Sequence, residues 1–216
     1  MENYLRLYFI AGSQDCRHLN GNPADKLLQI LQQALQAGIT CFQFREKGKN
    51  ALQNSEQILQ LAKQCQMLCK QYNVPFFIND DIDLALKIQA DGIHVGQDDR
   101  PIQDVIRLCQ GRLQIGLSVN NLEQAIENAQ IDGIDYFGVG PIFDTQSKAD
   151  AKPTVGLNLL KSIRTSGIDK PLVAIGGITV ETVSEILQAG ADGVAVISAI
   201  TQAEHIESAV KNLLIS

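Results

Sequence analysis

The sequence predicts a single α/β domain over residues 1–216, closed as a (β/α)8 TIM barrel. Three observations predict it. Eight short apolar segments alternate with amphipathic stretches along the whole chain. Polar or glycine-rich clusters follow most of the apolar segments, which is where barrels carry their chemistry. A Gly or Asp-Gly step recurs just ahead of a strand, at Ala37-Gly38-Ile39, Ala90-Asp91-Gly92, Asp132-Gly133-Ile134 and Ala189-Gly190-Ala191-Asp192-Gly193. Glycine there can take the left-handed conformation that ends a helix. A doubly wound open sheet is the alternative, because the chain is short for a barrel. No Pro/Gly/Ser-rich linker divides it.

The expected strands are 5–10, 39–44, 74–78, 92–95, 113–117, 136–139, 172–175 and 193–197. All are rich in Ile, Val, Leu and aromatic residues, and several show little alternation. That pattern suits strands covered by helices on one side and packed inside a barrel on the other. Between them, 24–37, 52–71, 121–129, 180–189 and 203–214 carry apolar residues at three- and four-residue spacing and are expected to be helices.

Composition narrows the function classes. Hydrophobic residues make up 45% of the chain, enough for a sizeable core, yet no apolar run reaches the ~18 residues that span a membrane. The first residues lead straight into a strand and do not read as a signal peptide. A net charge of −6 argues against nucleic-acid partners, which call for a basic face. It leaves small phosphorylated substrates open, because a few local cations suffice. The five cysteines lie mostly in apolar segments and read as reduced core thiols of a cytoplasmic protein. Cys65 and Cys69 share a helix face, but no nearby His or further Cys completes a zinc site. A homo-oligomer is compatible with all of this.

The chemistry concentrates at strand ends. Gln43-Phe44-Arg45-Glu46-Lys47 closes the second strand, so Gln43, Arg45 and Lys47 share one face and Phe44 and Glu46 the other. A guanidinium, an ammonium and an amide aimed at one point suit a multiply charged anion. Taken alone, such cations are as often solvated or half of an ion pair. Asn79-Asp80-Asp81 and Gly96-Gln97-Asp98-Asp99 follow the third and fourth strands. An Asp-Asp pair after a strand commonly caps a helix, and Asp80 or Asp81 is expected to do so. Cations at one strand end and carboxylates at the next two suggest a diphosphate held with a divalent metal. Gly176-Gly177 and Ile197-Ser198 follow strands seven and eight, the usual phosphate site of a barrel. Gly176-Gly177 also reads as a tight turn.

Taken in order, these segments resemble the thiamine phosphate synthase family nearly end to end. The resemblance rests on QFREK at 43–47, NDD at 79–81, ADGIHVGQDD at 90–99, IGLS at 115–118, DYFGVGPIFDTQSK at 135–148, AIGGI at 174–178 and ADGVAVISAI at 191–200. It implies an Mg²⁺-dependent transferase that joins a hydroxymethylpyrimidine diphosphate to a thiazole phosphate, giving thiamine phosphate and diphosphate. It implies that residues 43–47 (Gln43, Phe44, Arg45, Glu46, Lys47) with Asn79, Ser118 and Lys148 hold the pyrimidine diphosphate. Arg45, Lys47, Ser118 and Lys148 would carry catalysis, and Asp80 and Asp99 would bind Mg²⁺. Thr145, Gln146, Ser147, Gly177, Ile197 and Ser198 would hold the thiazole phosphate.

Two departures from the family pattern stand out. The family commonly has Pro-Thr-x-Thr-Lys after its sixth strand, where this chain has Asp144-Thr145-Gln146-Ser147-Lys148. Asp144 is expected to loosen that loop and to add negative charge near a phosphate. Residues 11–16 follow the first strand without the Asp-bearing turn more usual there, and no role is assigned to them. Three other readings compete. A thiazole tautomerase would use His94 as base and would not need the paired aspartates. A sugar-phosphate aldolase or epimerase would use Lys47 as a Schiff base. A regulatory barrel would bind phosphates without turnover.

Overall fold

The computed structural model describes residues 3–147 and 152–215. Eight strands follow in order: β1 (Leu7–Ala11), β2 (Cys41–Phe44), β3 (Phe76–Asn79), β4 (Gly92–Val95), β5 (Gln114–Val119), β6 (Tyr136–Val139), β7 (Leu172–Ile175) and β8 (Gly193–Val196). Each pairs in parallel with the next, and β8 pairs with β1, so the sheet closes into a barrel and the open-sheet alternative falls. A 3₁₀ turn (Ser13–Cys16) follows β1. The helices are α1 (Pro23–Ala37), α2 (Ser55–Gln71), α3 (Ile82–Ile88), α4 (Ile102–Cys109), α5 (Leu122–Ala129), α6 (Gly156–Thr165), α7 (Val180–Gln188), α8 (Ser198–Thr201) and α9 (Ile206–Ile215). Among the described residues no helix is long and apolar enough to cross a membrane.

Element ends differ from expectation for local reasons. Asn54 accepts the amides of Glu56 and Gln57, so α2 starts at Ser55 and not at residue 52. Residues 4–6 turn before β1, with the Arg6 amide donating to Asn3 O at 3.1 Å. Ile197 is not the last residue of a strand. It precedes α8, a one-turn helix separate from α9.

Two cores sandwich the strands. Phe9, Phe42, Phe44, Ile78 and Val95 pack outward under the helices. Tyr8, Ile10, Cys41, Phe77, Tyr136 and Val173 fill the barrel interior. Burial on both faces explains why the strand sequences alternate so little. All five cysteines are buried and free, and burial pushes the Cys65 thiol well above its ordinary range. No group of three or more metal-ligating side chains forms among the described residues.

The recurring Asp-Gly step serves a purpose beyond glycine's freedom. Gly38 and Gly190 do take positive φ, 106° and 109°. The aspartates, however, stitch the N-terminal end of the barrel. Asp91 accepts the amide of Phe76 at 2.8 Å and Asp192 that of Leu172 at 2.7 Å; where the step is Asp132-Gly133, the next aspartate, Asp135, accepts the amide of Ile115 at 2.6 Å. Each satisfies a strand-starting N–H that the sheet leaves over.

Inside the barrel, missing side chains make room for large ones. A Cβ on Gly116 would lie 2.2 Å from Tyr136 Cζ and 2.5 Å from His94 Nδ1. Gly116→Ala is therefore expected to cost about 3 kcal/mol, the upper end for overpacking, because a closed barrel cannot spread locally. Urea denaturation measures it; an unchanged midpoint would mean that the interior rings shift freely.

Candidate active site

The barrel places the C-terminal ends of its strands around one mouth. There a cavity of ≈ 220 Å³ is lined by Arg45, Lys47, Asn79, Asp80, Asp99 and Ser118, with Thr145 on its far side. A neighbouring hollow is lined by Ser147, Gly177, Ile197 and Ser198, and it shares Thr145, Ile175 and Gly176 with the first. Gln146 lines a rim cavity alongside Ser147 and Ser198. Lys148 lies outside the described residues.

The electrostatic centre joins three strand ends. Lys47 Nζ is 2.6 Å from Asp80 Oδ2 and 3.7 Å from Asp99 Oδ1. Asp99 Oδ2 also accepts the Gly96 amide at 2.8 Å. Burial raises the pKa of the Asp80 carboxyl against the pull of Lys47. Burial acts the same way on Asp99, but the Gly96 amide, Asp80 and Lys47 together hold it below the usual range. The two carboxylates thus share the Lys47 ammonium, and their shifts run in opposite directions.

Local backbone geometry explains why Asp80, not Asp81, reaches the mouth. Asp81 Oδ1 accepts the Leu84 amide at 2.9 Å and caps α3. Asp80 stands at φ 61°, a left-handed conformation that aspartate tolerates better than most residues. Its amide donates to His94 O at 2.9 Å, which ties the ends of β3 and β4 together. Asp98 borders the cavity too, but its side chain is 76% exposed and paired with Lys152.

Of the QFREK segment, Arg45 and Lys47 line the cavity, and the Arg45 side chain is buried. The other three do not line it. Gln43 lies below the cavity, fully buried, with Nε2 donating to Tyr8 Oη at 2.9 Å. Phe44 is 2% exposed and packs in the outer core, because the residue after Gln43 must point the other way. Glu46 shares the outer face with Phe44. Its carboxylate accepts Ser13 N, Ser13 Oγ and the Leu52 amide, at 2.8, 2.6 and 2.7 Å. It braces the loop after β1 against the approach to α2.

That loop, to which no role was assigned, supports the site. Gln14 Nε2 donates to Arg45 O at 2.7 Å and to Asp15 at 2.8 Å. Its position after a barrel strand was the signal that could have found it. His94 also belongs to the mouth. Its Nε2 lies 2.9 Å from Ser118 Oγ, and Gln97 Nε2 donates to Ser118 O at 2.7 Å.

The loop after β6 is tied down at both ends. The Ile142 and Phe143 amides donate to Ile175 O and Gly176 O at 2.8 and 3.0 Å. Asp144 Oδ1 accepts Thr154 Oγ1 at 2.6 Å, a bond between residues on either side of the loop. Gly176 and Gly177 both take positive φ, 102° and 63°, so the tight turn forms. A Cβ on Gly177 would stand 2.5 Å from Asp144 O, so that glycine lets the β6 loop close over β7. Ser147 Oγ donates to Ser198 Oγ at 3.2 Å across the hollow.

The model of the family described as thiamine monophosphate synthase matches residues 7–200. The chain belongs to this family. It is 61% identical to a thiamine-phosphate synthase of Pasteurella multocida, over 98% of this chain and 96% of that one. It is 56% identical to the thiamine-phosphate synthase of Helicobacter pylori, over 98% and 97%. A solved thiamine phosphate pyrophosphorylase from Pyrococcus furiosus superimposes with a TM-score of 0.80 at 34% identity, covering 98% of this chain and 94% of that one. A 3-hexulose-6-phosphate synthase structure, at 17% identity and a TM-score of 0.66, shares the fold.

Proposed function

We propose that this member of the thiamine monophosphate synthase family joins a pyrimidine-methyl diphosphate to a thiazole phosphate, giving thiamine phosphate and free diphosphate. The observation that carries the reading is the meeting of Arg45, Lys47, Asp80, Asp99 and Ser118 at one cavity that adjoins the Ser147–Gly177–Ser198 hollow. Cations and a hydroxyl suit the diphosphate; small residues and hydroxyls suit the second phosphate. Asp80 and Asp99 would hold Mg²⁺, an ion that takes one or two carboxylates and completes its shell with water and substrate phosphates. When bound, that ion offsets the charge that develops on the departing diphosphate.

The residues themselves stabilise a leaving group. Arg45 and Lys47 line the cavity and would place positive charge where the carbon–oxygen bond breaks. The coupling needs no base toward the reacting carbon. The thiazole nitrogen is the nucleophile and has no proton to lose. The reading is therefore dissociative. The methylene–oxygen bond breaks, its electron pair leaves with diphosphate, and the pyrimidine-methyl cation is captured by the thiazole nitrogen. Such a cation must meet the thiazole nitrogen before water, which would trap it as the alcohol.

The test is a coupling assay with both phosphorylated halves, with and without Mg²⁺, following diphosphate release. Release that requires both halves and the metal supports the reading. Release with neither thiazole dependence nor metal dependence contradicts it. Within this scheme Thr145→Val is expected to raise the KM for the thiazole phosphate about tenfold, the worth of one lost hydrogen bond to a charged group, while the pyrimidine KM stays put. Initial-rate kinetics check it, and a change confined to the pyrimidine KM would mean that the two subsites are assigned the wrong way round.

A further inference from the structure

Beneath the mouth a line of hydrogen bonds crosses the barrel interior. Gln43 Nε2 donates to Tyr8 Oη at 2.9 Å, and Tyr8 Oη lies 3.0 Å from Tyr136 Oη. Tyr136 Oη lies 3.0 Å from His94 Nδ1, and His94 Nε2 lies 2.9 Å from Ser118 Oγ at the cavity wall. Tyr8 and Tyr136 are each 1% exposed, and burial pushes both phenols well above their ordinary range. Each therefore keeps its hydrogen and must direct it at a neighbour. Gly116 and Gly138 leave the space that Tyr136 and His94 fill, so the line is built into the strands.

The donors set its sense. An amide nitrogen only donates, so Tyr8 Oη accepts from Gln43. The hydrogen of Tyr8 can go to Tyr136 or to the Cys41 thiol beside it, and a hydroxyl oxygen is the better acceptor. Turning the Gln43 amide over would bury an orphan N–H in place of the orphan Oε1 now present, and a buried unpaired N–H is the rarer case. Tyr136 then donates to His94 Nδ1, and His94 Nε2–H donates to Ser118.

We propose that Tyr136 is a positioning residue that holds His94 as its Nε2–H tautomer, so that the Ser118 hydroxyl is left to point its own hydrogen into the cavity. Serine then meets the substrate as a donor, which is what a diphosphate oxygen needs. The opposite sense would spend the Ser118 hydrogen on His94 and turn lone pairs toward the anion. In the proposed sense His94 offers no basic nitrogen to the mouth, which counts against a tautomerase. The role of Ser118 rests on the function proposed above; the tautomer does not.

The tautomer is read by ¹⁵N NMR of the substrate-free full-length protein labelled at its three histidines, His18, His94 and His205. The His94 resonances are expected to show a protonated Nε2 and a bare Nδ1. In Tyr136→Phe the donor to Nδ1 is gone, and the two shifts should converge toward a tautomer mixture. In Tyr8→Phe the Tyr136 hydroxyl remains to donate, and the wild-type pattern should persist. A protonated Nδ1 in the wild type, or shifts that Tyr136→Phe leaves unmoved, would overturn the proposal. Because no substrate is present, a failed coupling assay with the expected spectrum would sink the function and spare the tautomer.

Discussion

Asp80→Ala and Asp99→Ala are each expected to lower kcat by about 10²–10³-fold, the scale for removing one electrostatic contact to developing charge. Both carboxylates flank the Lys47 ammonium, and each comes from a different strand end, so neither can stand in for the other. Part of the loss should return at high Mg²⁺, because the remaining carboxylate still binds the ion more weakly. Asp98→Ala is the control. Its side chain is exposed and paired with Lys152, and its loss should leave kcat within about twofold, the range of an exposed ion pair. Initial rates across a magnesium titration check all three. A wild-type rate indifferent to a chelator, or an Asp98 effect equal to the Asp80 effect, would remove the metal from the account.

Arg45→Ala should lower kcat by about 10²–10³-fold as well, but without recovery at high magnesium. Arg45 is 5% exposed, and the Gln14 amide and the Ala11 carbonyl fix its backbone at 2.7 and 3.0 Å. The backbone that carries the charge is thus fixed before substrate arrives. Arg45→Lys keeps the charge but loses the planar fork, and it should recover only part of the rate. Single-turnover kinetics on folded variants separate the chemical step from binding. A variant that raises only KM would make Arg45 a tether and not a contributor to bond breaking.

The barrel was legible because burial on both strand faces leaves uninterrupted apolar runs, and the mouth because polar residues gather where those runs stop. Asp80, Asp99, Arg45 and Lys47 came from that rule and Ser118 from the family resemblance, and they meet at one cavity. What the sequence hid depends on which way side chains point across a closed barrel. Gln43 and Phe44 are neighbours, yet one joins an interior hydrogen-bond line and the other the outer core. Glu46 carries a charge like those of the site and instead pins Ser13, 33 residues away. Tyr8 and Tyr136, 128 residues apart, look like ordinary strand aromatics until closure brings their hydroxyls together. The Asp-Gly repeat was visible, but only the neighbouring strand shows that aspartate carries half of its purpose.

The central claim is that this site stabilises a departing diphosphate and a pyrimidine-methyl cation, with no base acting on carbon. A strongly electron-withdrawing substituent on the pyrimidine tests it most directly, through the single-turnover rate at saturating substrates. The account expects the chemical step to slow by orders of magnitude, because each ~1.4 kcal/mol of lost cation stability is a factor of ten, while substrate Kd barely moves. A rate that holds steady or rises would show direct displacement by the thiazole nitrogen and contradict the cationic route.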